Sequence, residues 1–478
     1  MPSSQKDMSS LPYNPKDISS IFNYSKQLVN KCLRDFAPDA EEYKGKGGLG
    51  QLVEALFFKY DINSRQEADF ALVNAELKCT PLKRLKTEEL AIKERLVCSM
   101  INYEEDWDKD FEHSHFYRKC LIMLIMFYLH ENGTSKLDLH FLFSALWKIP
   151  EKDLLIIRSD YQTIITKIRN GQAHTLSEGD TMYLGACRKG QKGDSLMRQH
   201  GSTQGAPRRA WSLKTSYMRI VLEEVKKNNR DGAYCNFTLK SRKKAKDAIF
   251  SEAELKRASV DDILMKRFSP YCGKTYTEIC RKLHCAVSAS KSKYFLVANA
   301  VASKGRVSNV NKSEEFVKSG LTMKTLRISK TGTIEEAMSF ENIDYQEVYD
   351  CEEWTDSRLY ELFTSRFLFV VFRETDNVLQ TPKGSETEYR LEKVALWTMP
   401  QEDLLVAQEY WNNIRKNVLE NHIAPEYFWS LADNKNFHVR PKARVSDDMA
   451  ENPNGGLAKK YAYWFNQKYV RNIIENEL

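Results

Sequence analysis

The chain has 478 residues, 42% of them hydrophobic, enough for two or three domains with sizeable cores. Lysine and arginine total 72 against 65 acidic residues, a net charge of +7 that permits a polyanionic partner without demanding one. The opening MPSSQKDMSSLPYNPKD lacks a signal-peptide apolar core, the apolar runs Leu121–Leu129 and Phe367–Phe372 are too short to span a bilayer, and the scattered cysteines form no C-x-x-C pair, so a secreted disulfide scaffold and a membrane protein are excluded and a cytoplasmic protein is expected.

Residues 1–17 read as a flexible arm, and Ile18–Phe36 carries a helical apolar stripe. The stretch from Lys44 to Lys78 reads KGKGGLGQLVEALFFKYDINSRQEADFALVNAELK. Its glycine-rich turn opens an apolar helix carrying Glu54. A turn follows, then Asp69 at the start of a strand-like run ending in Glu76-Leu77-Lys78. Alternation along a strand puts Glu76 and Lys78 on one face. Two carboxylates beside an ammonium can hold a divalent cation and orient a water against a phosphodiester. Alone, Asp upstream of Glu-x-Lys is a common pattern in a chain with 29% charged residues, and the bland reading is a surface strand.

Beyond it, Lys83-Arg84-Leu85-Lys86 reads as an exposed basic turn and Ile92–Ile101 as a buried element. Ser114–Leu129 turns from polar to apolar, Phe141–Trp147 adds core, and Leu154–Ile168 is an amphipathic helix stopped by Asn170-Gly171. A strand and a basic glycine-rich loop lead to Ser195, with Arg188, Lys189 and Gly190 at its start, and Arg208–Val225 is expected to be a helix. The polar, basic residues after Val225 read as a linker, 226–249. Cys272, Cys280 and Cys285 lack zinc-ligand spacing.

The first half then returns in altered form. SHFYRKCLIMLIMFYL at Ser114 matches SRLYELFTSRFLFVVF at Ser357, and LWKIPEKDLLIIRSDYQTIITKI at Leu146 matches LWTMPQEDLLVAQEYWNNIRKNV at Leu396. CSMINYEE at Cys98 resembles MSFENIDYQEV at Met338, and RRAWSLKTSYMRIVL at Arg208 resembles KYAYWFNQKYVRNII at Lys460. Four matches in one order predict a duplication, with copies over 18–225 and 250–478. In the second copy Lys78 keeps a counterpart, Lys324, but Glu76 becomes Thr322, Asp69 falls near Glu315, Glu54 near Val297, and Lys119 aligns with Leu362. A site that needs several anionic oxygens for a cation does not survive these changes, so only the first copy is expected to be catalytic. The second copy has Arg440-Pro441-Lys442 after a strand, where a planar arginine fork can read a guanine edge or, in the plainer reading, contact phosphate or simply be solvated.

KGGLGQLVE, then D-x6-E-x-K, then S-H-x-x-x-K at Ser114–Lys119, then a strand with a basic loop, resembles the MutH mismatch-repair nickase family, and RPKA at 440–443 resembles its base-reading loop. The duplication, with KERLV, INYE, LSEG and SLKT, is closer to the GATC-specific type II restriction endonucleases with two MutH-like domains. The resemblance implies an α/β fold, duplicated, each copy a central mixed sheet flanked by helices. It implies Mg²⁺ held by Asp69, Glu76 and the Leu77 carbonyl, with catalytic roles for Glu54, Lys78 and Lys119. It further implies a phosphate contact from Lys46 and DNA contacts from Arg188, Lys189, Gly190 and Lys214 in the first copy. In the second copy it implies DNA contacts from Arg440, Pro441, Lys442 and Trp464. The expected partner is double-stranded DNA containing GATC, cut 5′ of the G, with dimerisation on DNA and a cognate methyltransferase acting at the same site. The second copy is expected to bind a further site as an effector. A methyl-directed nickase and a non-catalytic DNA-binding protein are the alternatives. Ala68 stands before Asp69 where many nucleases of this superfamily carry proline.

Overall fold

The computed structural model describes residues 11–40, 48–60, 67–85, 88–190, 195–229, 236–237, 247–334, 337–433, 435–443, 445 and 448–478. The fold is mixed α/β, and the chain divides into two compact units, Met1–Lys244 and Ala245–Leu478.

The N-terminal unit has ten strands among its described residues: β1 (Glu76–Arg84), β2 (Leu90–Ile92), β3 (Leu96–Met100), β4 (Ile122–Leu129), β5 (Phe141–Lys148), β6 (Leu184–Arg188), β7 (Met197–Gln199), β8 (Ser202–Ala206), β9 (Arg209–Leu213) and β10 (Asn236–Phe237). One sheet runs β10-β5-β4-β1-β2, a second β3-β9-β6, and β7-β8 form a hairpin. The apolar run of β4 fits its central place: Met123 to Phe127 are all buried, and the strand pairs in parallel with β1 and antiparallel with β5. The helix Glu151–Arg169 begins after Pro150 with Glu151 and Asp153 in its first turn, where the helix dipole favours acid. It stops at Gly171, whose φ of +68° suits glycine and whose absent side chain leaves room for the Gly201 carbonyl.

The C-terminal unit repeats this plan. Its strands are β11 (Thr322–Ile328), β12 (Met338–Asn342), β13 (Phe367–Thr381), β14 (Gly384–Trp397), β15 (Phe437–Pro441), β16 (Met449–Glu451), β17 (Leu457–Lys459) and β18 (Tyr461–Phe465). The sheets are β11-β13-β14 and β12-β18-β15, with a β16-β17 hairpin. β11 pairs in parallel with β13, and β13 antiparallel with β14, just as β1, β4 and β5 pair in the first unit. Helix Gln401–Leu419 follows Pro400 as Glu151–Arg169 follows Pro150.

Two expectations are corrected. Arg208–Val225 is not one helix: Arg209–Leu213 is the fully buried middle strand β9, and the helix is Thr215–Asn229. The run after Asp69 is not strand either. It contains a short 3₁₀ turn, Ala71–Val73, with Asn74 at a left-handed φ of 54°, and the strand begins at Glu76 rather than ending near it. Among the described residues, no helix is long and apolar enough to cross a membrane.

Candidate active site

The site is built on the start of β1. Glu76 and Lys78 alternate onto one face, and the Lys78 ammonium donates to Glu76 Oε1 at 2.9 Å and to the Cys98 carbonyl on β3 at 2.9 Å. Lys119 reaches the same Oε1 at 3.2 Å. It comes from the last turn of helix His115–Cys120, which Ser114 caps by accepting from the Tyr117 N–H. One buried carboxylate oxygen thus lies between two ammonium groups.

Asp69 is fixed by reciprocal bonds across the tight turn before β1. Its Oδ2 accepts the Leu77 N–H at 2.9 Å, and its own N–H donates to Glu76 Oε2 at 3.2 Å. Glu54 lies in a π-helical turn, Val53–Phe57, that continues the short helix Leu49–Leu52. Single π turns of this kind recur where a side chain must be re-aimed.

Electrostatics ties these groups together. Burial, then Asp69 and Glu76, pushes Glu54 up to about 7. Burial, then Glu76, pushes Asp69 up to about 6. Burial weighs against charge on Lys78, but the negative charge available on Cys120 and Glu76 and the bond to Glu76 hold the lysine above its ordinary value. Lys78 is therefore an ammonium at neutral pH.

The donors Asp69, Glu76 and the Leu77 carbonyl are all oxygens, the set a hard divalent cation prefers. The raised proton affinity of Glu54 and Asp69 is an excess of buried negative charge that a cation relieves. Among the described residues, no three or more acidic, histidine or cysteine side chains converge as ligands, so a cation here would rest on two carboxylates and main-chain oxygen.

Tyr60 was not legible in the sequence as part of the site. Its hydroxyl is buried without a hydrogen-bond partner, and after burial the charges of Asp69 and Glu54 act on it most strongly. Nothing in the FFKY run distinguishes it from core aromatics.

The DNA-contact candidates divide by placement. Lys46 lies outside the described residues. Arg188 is exposed at the end of β6, and Lys189 and Gly190 follow it, Gly190 at a φ of 97°. Lys214 is turned inward, its ammonium donating to the Thr181 carbonyl. In the C-terminal unit Arg440 is exposed, with its guanidinium 5.2 Å from the Trp464 ring centroid. Pro441 ends β15. Lys442 folds back on its own unit, donating to Ser339 Oγ at 3.2 Å and to the Phe340 carbonyl.

Residues 58–160, which hold Asp69, Glu76, Leu77, Lys78 and Lys119, match the family model of the DNA mismatch repair enzyme MutH. That segment is MutH-like. The likeness extends beyond that segment: the chain is 27% identical to a Staphylococcus aureus protein, the type II restriction enzyme Sau3AI, over 96% of its own length and 98% of that protein's. The MutH-like segment ends inside helix Glu151–Arg169, so the match covers β1 to β5 and the acid–lysine cluster except Glu54, which precedes it.

Proposed function

We propose that this MutH-like chain is a type II restriction endonuclease that hydrolyses both strands of double-stranded DNA at GATC, 5′ of the G, using Mg²⁺. The observation that carries the reading is the single buried Glu76 oxygen between Lys78 and Lys119, with Asp69 locked beside it. Asp69, Glu76 and the Leu77 carbonyl are the residues that would hold Mg²⁺, which when bound supplies charge neutralisation and a more acidic water. As an ammonium, Lys78 orients and polarises the attacking water instead of removing its proton. Lys119 faces the non-bridging oxygens of the scissile phosphate, where charge builds up in the transition state. Glu54 supports the cluster from behind. Arg188, with Lys189 and Gly190, reads bases, and the C-terminal unit holds a second GATC site as an effector through Arg440.

The MutH match keeps a second reading open, a methyl-directed nickase that needs repair partners. Incubation of the purified chain with GATC plasmid, methylated or not, in Mg²⁺ or in EDTA, tests both. Unaided double-strand breaks with GATC ends support the restriction reading. Nicks that appear only with repair proteins support the alternative. No cutting under any condition removes catalysis altogether.

A further inference from the structure

Lys324 occupies the place of Lys78 down to its contacts. Each lysine sits on the first strand of its unit, paired in parallel with the central strand. Each donates at 2.9 Å to a main-chain carbonyl of the strand that opens the second sheet, Cys98 on β3 or Ser339 on β12. The difference lies in the company. Thr322 stands where Glu76 would be, and the Lys442 ammonium arrives from the end of β15 to the side chain of the same Ser339. The carboxylate that acts on both lysines, Glu341, is already held by Arg358 through two bonds of 2.6 and 2.9 Å. Burial, then Lys442, pushes Lys324 down to about 8, the opposite of Lys78.

The sheet beside these lysines carries further unmet donors. Ser339 pairs with Trp464, and Trp464 with His438, so the three side chains form one row on one face of β12-β18-β15. Trp464 Nε1 and both ring nitrogens of His438 are buried without hydrogen-bond partners. Buried polar groups are ordinarily satisfied, so the Trp464 indole N–H and the single N–H of a neutral His438 are buried donors that an acceptor at this face would meet.

We propose that the C-terminal unit has exchanged the cation site of its twin for an oxyanion site, in which Lys324 and Lys442 hold a phosphate group without metal. The ligand class is a tetrahedral phosphate, supplied by a DNA backbone or by the free ion. Its DNA form deepens the effector reading given above, whereas the free-ion form stands without it.

The test uses the full chain in EDTA, with Lys324→Gln, Lys442→Gln and the double variant. Lys442 is exposed, so its substitution does not endanger folding. Binding of inorganic phosphate is followed by ³¹P line broadening, and binding of a short GATC duplex is measured across salt concentrations. If the free ion is the ligand, each single variant weakens phosphate binding tenfold or more, and duplex binding keeps its salt slope. If a backbone phosphate is the ligand, the double variant lowers the slope of log affinity against log salt by about one, because one fewer phosphate is neutralised, and each single variant lowers it by part of that. Unchanged phosphate affinity together with an unchanged slope in all three variants overturns the proposal. Equal cutting of one-site and two-site plasmids would instead defeat the effector reading and leave the free-ion arm standing.

Discussion

Lys78 and Lys324 sit in twin positions and differ in what surrounds them. Lys78 bonds to Glu76 and is held above the ordinary lysine value, while burial, then Lys442, pushes Lys324 below it. The fold tolerates both, because both ammonium groups keep the same main-chain carbonyl contact. The twin of Asp69 diverges in another way. Glu315 is buried and accepts the N–H groups of Ile249, at 3.1 Å, and Phe250, at 3.4 Å, so its charge serves the packing of its own unit. Both units keep a lysine at this register, and the acids around it decide whether a cation could be held there.

The largest expected effect breaks that asymmetry in the first unit. Glu76→Ala or Lys78→Ala is expected to lower cleavage by a thousandfold or more while GATC binding in Ca²⁺ stays near wild type, since the loss falls on the transition state. Plasmid digestion and gel-shift titration of the same preparations measure the two quantities, and cleavage within tenfold of wild type in either variant defeats the assignment. The converse change, Thr322→Glu, is expected to give the second unit no activity. The added acid still lacks partners, because Glu315 is committed to Ile249 and Phe250 and Val297 is apolar where Glu54 would stand.

The alternation that puts Glu76 and Lys78 together was readable because strand period is a local property. The duplication was readable because four apolar phrases kept their order. The nearness of Asp69 to Glu76 is expected from the sequence too, but not how it arises, since the reciprocal bonds between Asp69, Leu77 and Glu76 depend on a turn at Asn74 that a run of apolar letters conceals. β9 reads as helix in the sequence for a related reason: all five of its residues are buried, so the run shows no alternation to separate strand from helix. The main-chain bonds of Lys214 and Lys442 reach partners 33 and 102 residues away in sequence, which no local pattern encodes.

A moderate effect is expected at the reading loops. Arg188→Ala should narrow the affinity gap between GATC and non-GATC duplexes by about 1–3 kcal/mol, the worth of one base contact. Competition binding at fixed salt measures it, and full discrimination in the variant would move the reader elsewhere. Arg440→Ala addresses the other unit. Two-site plasmids should be cut several-fold faster than one-site plasmids by the wild type, because holding one site raises the local concentration of the second. The variant should bring both plasmids to one rate.

The smallest effect concerns the stability of the two lysine environments. A lysine whose folded-state proton affinity lies below its unfolded value binds its proton less readily when folded, so its contribution to stability is full at high pH and is lost as pH falls through the folded value. For Lys324 that window runs from the ordinary lysine value of 10.5 down to about 8. Lys324→Met, which removes an uncompensated buried charge, should therefore stabilise the C-terminal unit at pH 7.5 by on the order of 1 kcal/mol. The advantage should shrink as pH rises toward 10.5, where the wild-type lysine sheds its proton in either state. Urea midpoints at pH 7.5 and 10 measure the gap. A phosphate that settles between Lys324 and Lys442 stabilises their charged forms, so inorganic phosphate at pH 7.5 should close the same gap by raising the wild type and leaving Lys324→Met nearly unmoved. A variant that is less stable than wild type at pH 7.5 without phosphate would mean that the Ser339 carbonyl bond outweighs the burial of the charge.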